Sequence, residues 1–104
     1  MSVLPLDPVL SATTRLSIVA VLAAAEEVDF ATVRDAVELS DSALSKQASA
    51  LEAAGYVAVR KGYVGKRPRT WLRLTPEGRA ALRKYVATLN SIVAEADRAP
   101  DRDG

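Results

Sequence analysis

The spacing of apolar residues changes its period at Gly55, and that switch confines the chain to a small set of architectures. Before it, apolar positions recur every three or four residues, as on helices covered along one side. After it, Tyr56, Val57, Val59 and Lys61 alternate as in a strand, and Thr70 to Leu74 forms a second strand with Trp71 and Arg73 on one side. Between the two lies Gly62-Tyr63-Val64-Gly65-Lys66-Arg67-Pro68, whose glycines and proline suit a hairpin tip. Thr75-Pro76-Glu77-Gly78 then opens another helix, with Thr as N-cap, Pro at the first helical position and an acid in the first turn. At 104 residues, this succession makes one domain, mainly α with a small β-hairpin.

Within the helical part, Asp7-Pro8 suits a short turn, and Ser11 or Thr13 caps a helix running to about Ala25. Leu16, Ile18, Val19, Val21 and Leu22 occupy more than one side of that helix, so two faces need cover. In so small a domain the second cover is expected from another subunit. Asp29 reads as the N-cap of a short helix from Phe30 to about Val37. Ser40 or Asp41 caps a third, ending near Ala54, with Gly55 as its stop. There Leu44, Ala48 and Leu51 face inward, Ser42, Ser45, Lys46, Ser49 and Ala50 outward, and Gln47 lies on the flank. The last helix carries Leu82, Tyr85 or Val86, Leu89, Ile92 or Val93 and Ala96 at helical spacing and runs to about Arg98. Its length of roughly 30 Å exceeds what such a domain covers, so the stripe predicts an interface. The expected division is a domain over 1–98 and a polar tail over 99–104.

No cysteine and no histidine occur. Disulfides, thiol chemistry, Cys/His metal sites and histidine-assisted nucleophiles are thereby excluded. Clustered carboxylates and a glycine-rich phosphate loop are missing too, and Glu26-Glu27 reads as a solvated pair, so neither an enzyme nor a cofactor or metal site is expected. The longest apolar run, Ile18 to Ala25, falls far short of a membrane span, and Met1 to Pro8 lacks the features of an export signal. A cytoplasmic protein is the expectation.

The net charge of +1 conceals a strong polarity. From Met1 to Asp41, two basic residues (Arg15, Arg34) face seven acids, a balance of −5. From Ser42 to Tyr85, ten basic residues face two acids (Glu52, Glu77), a balance of +8. Arg60, Lys61, Lys66, Arg67, Arg69 and Arg73 follow one another with no acid between Glu52 and Glu77. Such segregation points to a polyanion partner. RNA is disfavoured because Tyr56 and Trp71 are expected to lie beneath the hairpin rather than to form a stacking platform.

Particular stretches carry a family likeness. They are TRLSI at Thr14–Ile18, LSDSALSKQASALEAAGYV at Leu39–Val57, KGYVGKRPRT at Lys61–Thr70 and LTPEGR at Leu74–Arg79. Over about Leu6 to Leu89 the chain resembles the small winged-helix regulators related to the MarR and ArsR groups. The resemblance implies a winged helix-turn-helix with a three-helix core, a two-stranded wing and a long C-terminal dimerisation helix. It also implies that the third helix, about 41–54, enters the major groove of double-stranded DNA. The wing, about 61–70, would then lie on a minor groove or the backbone.

Candidate DNA contacts are Ser42, Ser45, Lys46, Gln47 and Ser49 on the helix, with Gln47 able to read adenine through two hydrogen bonds. On the wing they are Lys66, Arg67 and Arg69, supported by Arg60 and Lys61. Arg73 is expected to be turned away, Arg15 to pair with an acid or cap a neighbouring element, and Asp41 to cap rather than read. The dimer interface is expected at Leu16, Val19, Leu82, Val86, Leu89, Ile92 and Val93, and a two-fold dimer calls for a near-palindromic operator. Whether a small-molecule effector acts is left open. The competing reading is a winged helix used for protein–protein contact without sequence-specific DNA binding.

Overall fold

The computed structural model describes residues 5–98. Its elements are α1 (Thr13–Ala23), β1 (Val28–Asp29), α2 (Phe30–Val37), α3 (Asp41–Ala53), β2 (Val57–Val64), β3 (Arg67–Leu74) and α4 (Pro76–Asp97). The expected tail over 99–104 lies outside the described residues.

Local chemistry accounts for most boundaries. Ser40 caps α3, its hydroxyl accepting from the Ala43 amide at 3.1 Å, while Asp41 is the first helical residue and pairs with Arg34. At the other end, Gly55 takes φ +81°. Its amide donates to the Glu52 carbonyl and the Tyr56 amide to that of Leu51, closing the helix with a left-handed residue that favours glycine. Thr75 caps α4 as expected, accepting from the Gly78 amide at 3.0 Å. Gly78 itself is wedged against the α3–β2 junction, where an added Cβ would stand 2.2 Å from the Tyr56 carbonyl oxygen. Only glycine lets α4 leave the sheet at this angle. By contrast, α1 has no side-chain cap; Ser11 and Asp7 instead close the preceding turn through the Ser11 hydroxyl and the Val9 amide.

The sheet is antiparallel in the order β1-β3-β2. It contains one strand more than the expected two-stranded wing, because Val28 and Asp29 pair with Leu72 and Trp71. Two residues are too few to show alternation in a sequence. The hairpin strands also run further than expected, leaving only Gly65-Lys66 as the turn. Gly65 adopts φ +62° at the first central position, the geometry that matches strand twist in two-residue hairpins.

One core unites the elements: Leu10, Ile18, Val19, Leu22, Val33, Leu44, Ala48, Leu51, Val57, Leu72, Leu74 and Tyr85 are buried together. The inward set predicted on α3 lies in it. For α1 the second cover comes from inside the chain. Leu16 and Val21 pack against the core as half-buried residues, and Leu6 and Val9 of the N-terminal segment join them. Val19 is 0 % exposed, so its expected place in a dimer interface is corrected: a partner cannot reach it. The radius of gyration, 17.1 Å, exceeds the roughly 13 Å of a compact chain of this size, because α4 projects beyond the core.

Candidate nucleic-acid interface

The outer side of α3 is built by exclusion. Leu44, Ala48 and Leu51 commit one face to the core, and at 100° per residue Ser42, Ser45, Lys46 and Ser49 are left exposed. No bulky apolar group interrupts this face, so it presents hydroxyls and one ammonium to its surroundings. Arg34 bonds Asp41 at 2.9 Å and Asp35 at 3.0 Å, partly neutralising the acid at the start of the helix. These carboxylates hold the Arg34 guanidinium well above its ordinary pKa.

The strand register sorts the basic residues of the wing onto two faces. Lys61 pairs with Thr70 on the side facing α3. With Ser45 and Ser49 they line an open cleft of about 350 Å³ between α3 and the sheet, floored by Val59 and Leu72. Asp41 and Glu52 also border this cleft, placing acids beside the basic wing. On the opposite face, the pairs Arg60↔Trp71, Gly62↔Arg69 and Val64↔Arg67 carry the arginines. Arg67, Arg69 and the turn residue Lys66 are exposed, as is Tyr63, at 71 %. Arg73 is opposite Ala58 on the same outer face as Arg67 and Arg69.

Arg60 departs from expectation. Its Nε and Nη2 donate to both carboxylate oxygens of Glu27, at 3.0 and 2.7 Å, and its guanidinium stacks 3.9 Å from the Trp71 ring centroid. The hydrogen bond from Arg60 holds the Glu27 carboxyl below its ordinary pKa, assisted by the charges of Arg60 and Arg73. Arg60, expected as a supporting DNA contact, thus also anchors the wing's root, and Glu27, read as a solvated acid, is its partner. Gly62 leaves room for this stack, since an added Cβ would lie 3.2 Å from the Trp71 ring. Tyr56 does not lie beneath the wing either; its hydroxyl donates to Asp7 in the N-terminal segment, and this bond raises its pKa.

Gln47 is the second departure. It is half-buried on the flank of α3, and its Oε1 accepts from Arg15 Nη1 at 3.1 Å. The Arg15 Nε meanwhile donates to the Val9 carbonyl at 2.7 Å. Of the two roles expected for Arg15, pairing with an acid or capping a neighbouring element, the first is unmet among the described residues, where Arg15 bonds no acid; it donates to the Val9 carbonyl in the turn before α1 and to the Gln47 amide. A bidentate adenine contact uses Oε1 as well as Nε2, and here Arg15 already engages one lone pair of Oε1 and turns that oxygen toward α1. The sequence held one usable signal for Arg15, a lone charge in an otherwise apolar helix.

On α4, Leu82 packs against the core, whereas Val86, Leu89, Ile92 and Val93 are exposed by 45, 40, 37 and 51 %. Among the described residues, no helix is long and apolar enough to cross a membrane, and no group of three His, Cys, Asp or Glu side chains could hold a metal ion.

Residues 14–93 match the profile of a family described as a winged helix DNA-binding domain. An uncharacterized protein of Methanocaldococcus jannaschii is 27% identical over 78 residues, which cover 75% of this chain and 85% of that one. A transcriptional regulator homologue from Pyrococcus horikoshii superimposes with a TM-score of 0.80 at 24% identity, over 86% of this chain and 88% of that one. A MarR-family regulator from Silicibacter pomeroyi does so with a TM-score of 0.61 at 22% identity, over 88% of this chain but 61% of the other. At such identities the two structures speak for a shared fold, the winged helix.

Proposed function

The chain belongs to the winged helix DNA-binding domain family, and from that premise we propose that it is a sequence-specific transcriptional regulator, a repressor that binds a near-palindromic duplex as a homodimer. Family and fold point to DNA binding rather than to an enzyme. One observation carries the reading: Ser45 and Ser49 of α3 and Lys61 of the wing border the same open cleft, and the exposed Lys66, Arg67 and Arg69 continue the hairpin beyond it, so a polar helix face and a cationic hairpin stand side by side. A major groove about 12 Å wide accepts an α-helix. Ser42, Ser45, Lys46 and Ser49 meet base edges and phosphates, and Lys61, Lys66, Arg67 and Arg69 grip the backbone and the adjacent minor groove.

The homodimer rests on α4. Leu82, Val86, Leu89 and Val93 recur at steps of four and three, the spacing of a two-helix seam, with Ile92 beside them. Three of these four lie open to solvent in one subunit. Two-fold pairing of such helices, with Leu16 at the margin, would set the two copies of α3 about 34 Å apart, one turn of B-DNA.

Selection of bound duplexes from a random pool tests both parts. The expected product is an inverted repeat with half-sites about one turn apart and binding that weakens steeply with salt. Absence of association with any duplex in dilute buffer would overturn the reading. Leu89→Glu with Ile92→Glu is expected to halve the mass measured by light scattering while leaving the circular dichroism of the domain intact. An unchanged mass would move the interface elsewhere.

A further inference from the structure

We propose that Arg15 is a positioning residue for base recognition: it holds the Gln47 side-chain amide so that Gln47 offers the groove donors alone, selecting keto bases, guanine or thymine, over adenine and cytosine. This rests on the DNA-binding reading above and adds a specificity to it.

The geometry runs from α1 to the recognition helix. Arg15 Nε is fixed on the Val9 carbonyl at 2.7 Å, which sets the plane of the guanidinium. In that plane Nη1 reaches the Gln47 amide at 3.1 Å. A guanidinium has donors and no acceptor, so the amide atom it meets must be the oxygen. The usual ambiguity between the two ends of a glutamine amide is thereby removed. With Oε1 held toward α1, the Nε2 group is directed away from Arg15. Both Arg15 and Gln47 are half-buried, which limits competition from water for this bond.

Gln47 lies half-buried on the flank of α3, between the inward face of Leu44 and the outer face that carries Lys46. An amide free at both ends matches adenine, which offers an acceptor at N7 and a donor at N6. A donor-only edge matches guanine O6 and N7 or thymine O4. It opposes the amino groups of adenine N6 and cytosine N4. The choice of base at this position is thus set by a residue that touches no DNA.

Random-pool selection with four proteins tests this. Wild type is expected to enrich a keto base at one position per half-site, by about threefold to tenfold, the worth of a single hydrogen bond. Gln47→Ala loses that preference and so identifies the position. Arg15→Met frees Oε1 and moves the preference toward adenine. A merely structural role for Arg15 would instead lower affinity for all sequences alike and leave the preference unchanged, and that result would overturn the proposal. Gln47→Glu keeps an acceptor for Arg15 but replaces the donor edge by an acceptor, so the preference is expected to reverse toward cytosine or adenine. This variant settles the matter should Arg15→Met fail to fold; a keto preference that survives in it refutes the mechanism. Enrichment of adenine by wild type at the Gln47-dependent position would also refute it while leaving DNA binding intact. Failure of wild type to retain any duplex would strike the DNA-binding reading itself.

Discussion

The root and the tip of the wing carry the same kind of charge and use it in opposite ways. At the root, Arg60 is clamped between Glu27 and Trp71, and its charge is answered within the chain. At the tip, Lys66, Arg67 and Arg69 are exposed and form no ion pair among the described residues. Arg69 is two residues further along the hairpin toward its tip than Trp71, on the same face of the sheet. Position along a hairpin, and not residue type, separates the two uses. β1 pairs only with the root of β3, and the loop before β1 supplies Glu27; the tip projects past both. An arginine on a hairpin therefore serves the fold where an acid of another element comes within reach, and remains available to a polyanion where none does.

The sharpest way to break this contrast is at the tip. Arg67→Ala with Arg69→Ala is expected to weaken binding to every duplex by about tenfold or more. The slope of log affinity against log salt should also flatten by about 0.9 for each phosphate that is no longer neutralised, and an unchanged slope would remove the tip from the binding surface. Arg60→Ala should act the other way round, lowering the thermal midpoint while leaving the salt slope nearly as it was. A flattening equal to that of the tip variants would erase the distinction.

A smaller effect sharpens it by pH. The Glu27 carboxyl is depressed in the folded chain, so its contribution is full above the unfolded value of 4.5 and is lost as pH falls through the lower folded value. Glu27→Gln is expected to reduce the drop in thermal midpoint between neutral and strongly acidic solution; an unaltered drop would show the pair to be inert. The smallest change is expected from Tyr63→Ala at the tip, which alters binding by no more than about twofold, because a surface side chain outside any packed region contributes little.

Much of the scaffold is legible in the sequence alone. The 3.6-residue spacing of Leu44, Ala48 and Leu51, the Ser40 cap and the Thr75-Pro76 opening are local signals, each set by backbone chemistry within one or two turns. The exposed face of α3 follows from the same spacing, and the segregation of charge from simple counting. The misreadings have a common cause. Glu27 and Arg60 are separated by 33 residues, and Arg15 and Gln47 by 32. No periodicity links such pairs, so Arg60 looks free and Gln47 looks available at both ends. Val19 misleads for a related reason: a helix apolar on several sides announces that it needs cover, without saying which part of the chain supplies it.

Periodicity, caps and turn residues were enough to specify the order of helices and strands, the inward face of α3 and the basic stretch that includes the wing, since all of these depend on neighbours a few bonds away. Which charged groups remain open for a partner depended on the folded arrangement, because an ion pair or amide hydrogen bond forms wherever distant segments converge. That convergence is a property of the packed core, which brings α1 onto the flank of α3 and the loop before β1 onto the root of the wing.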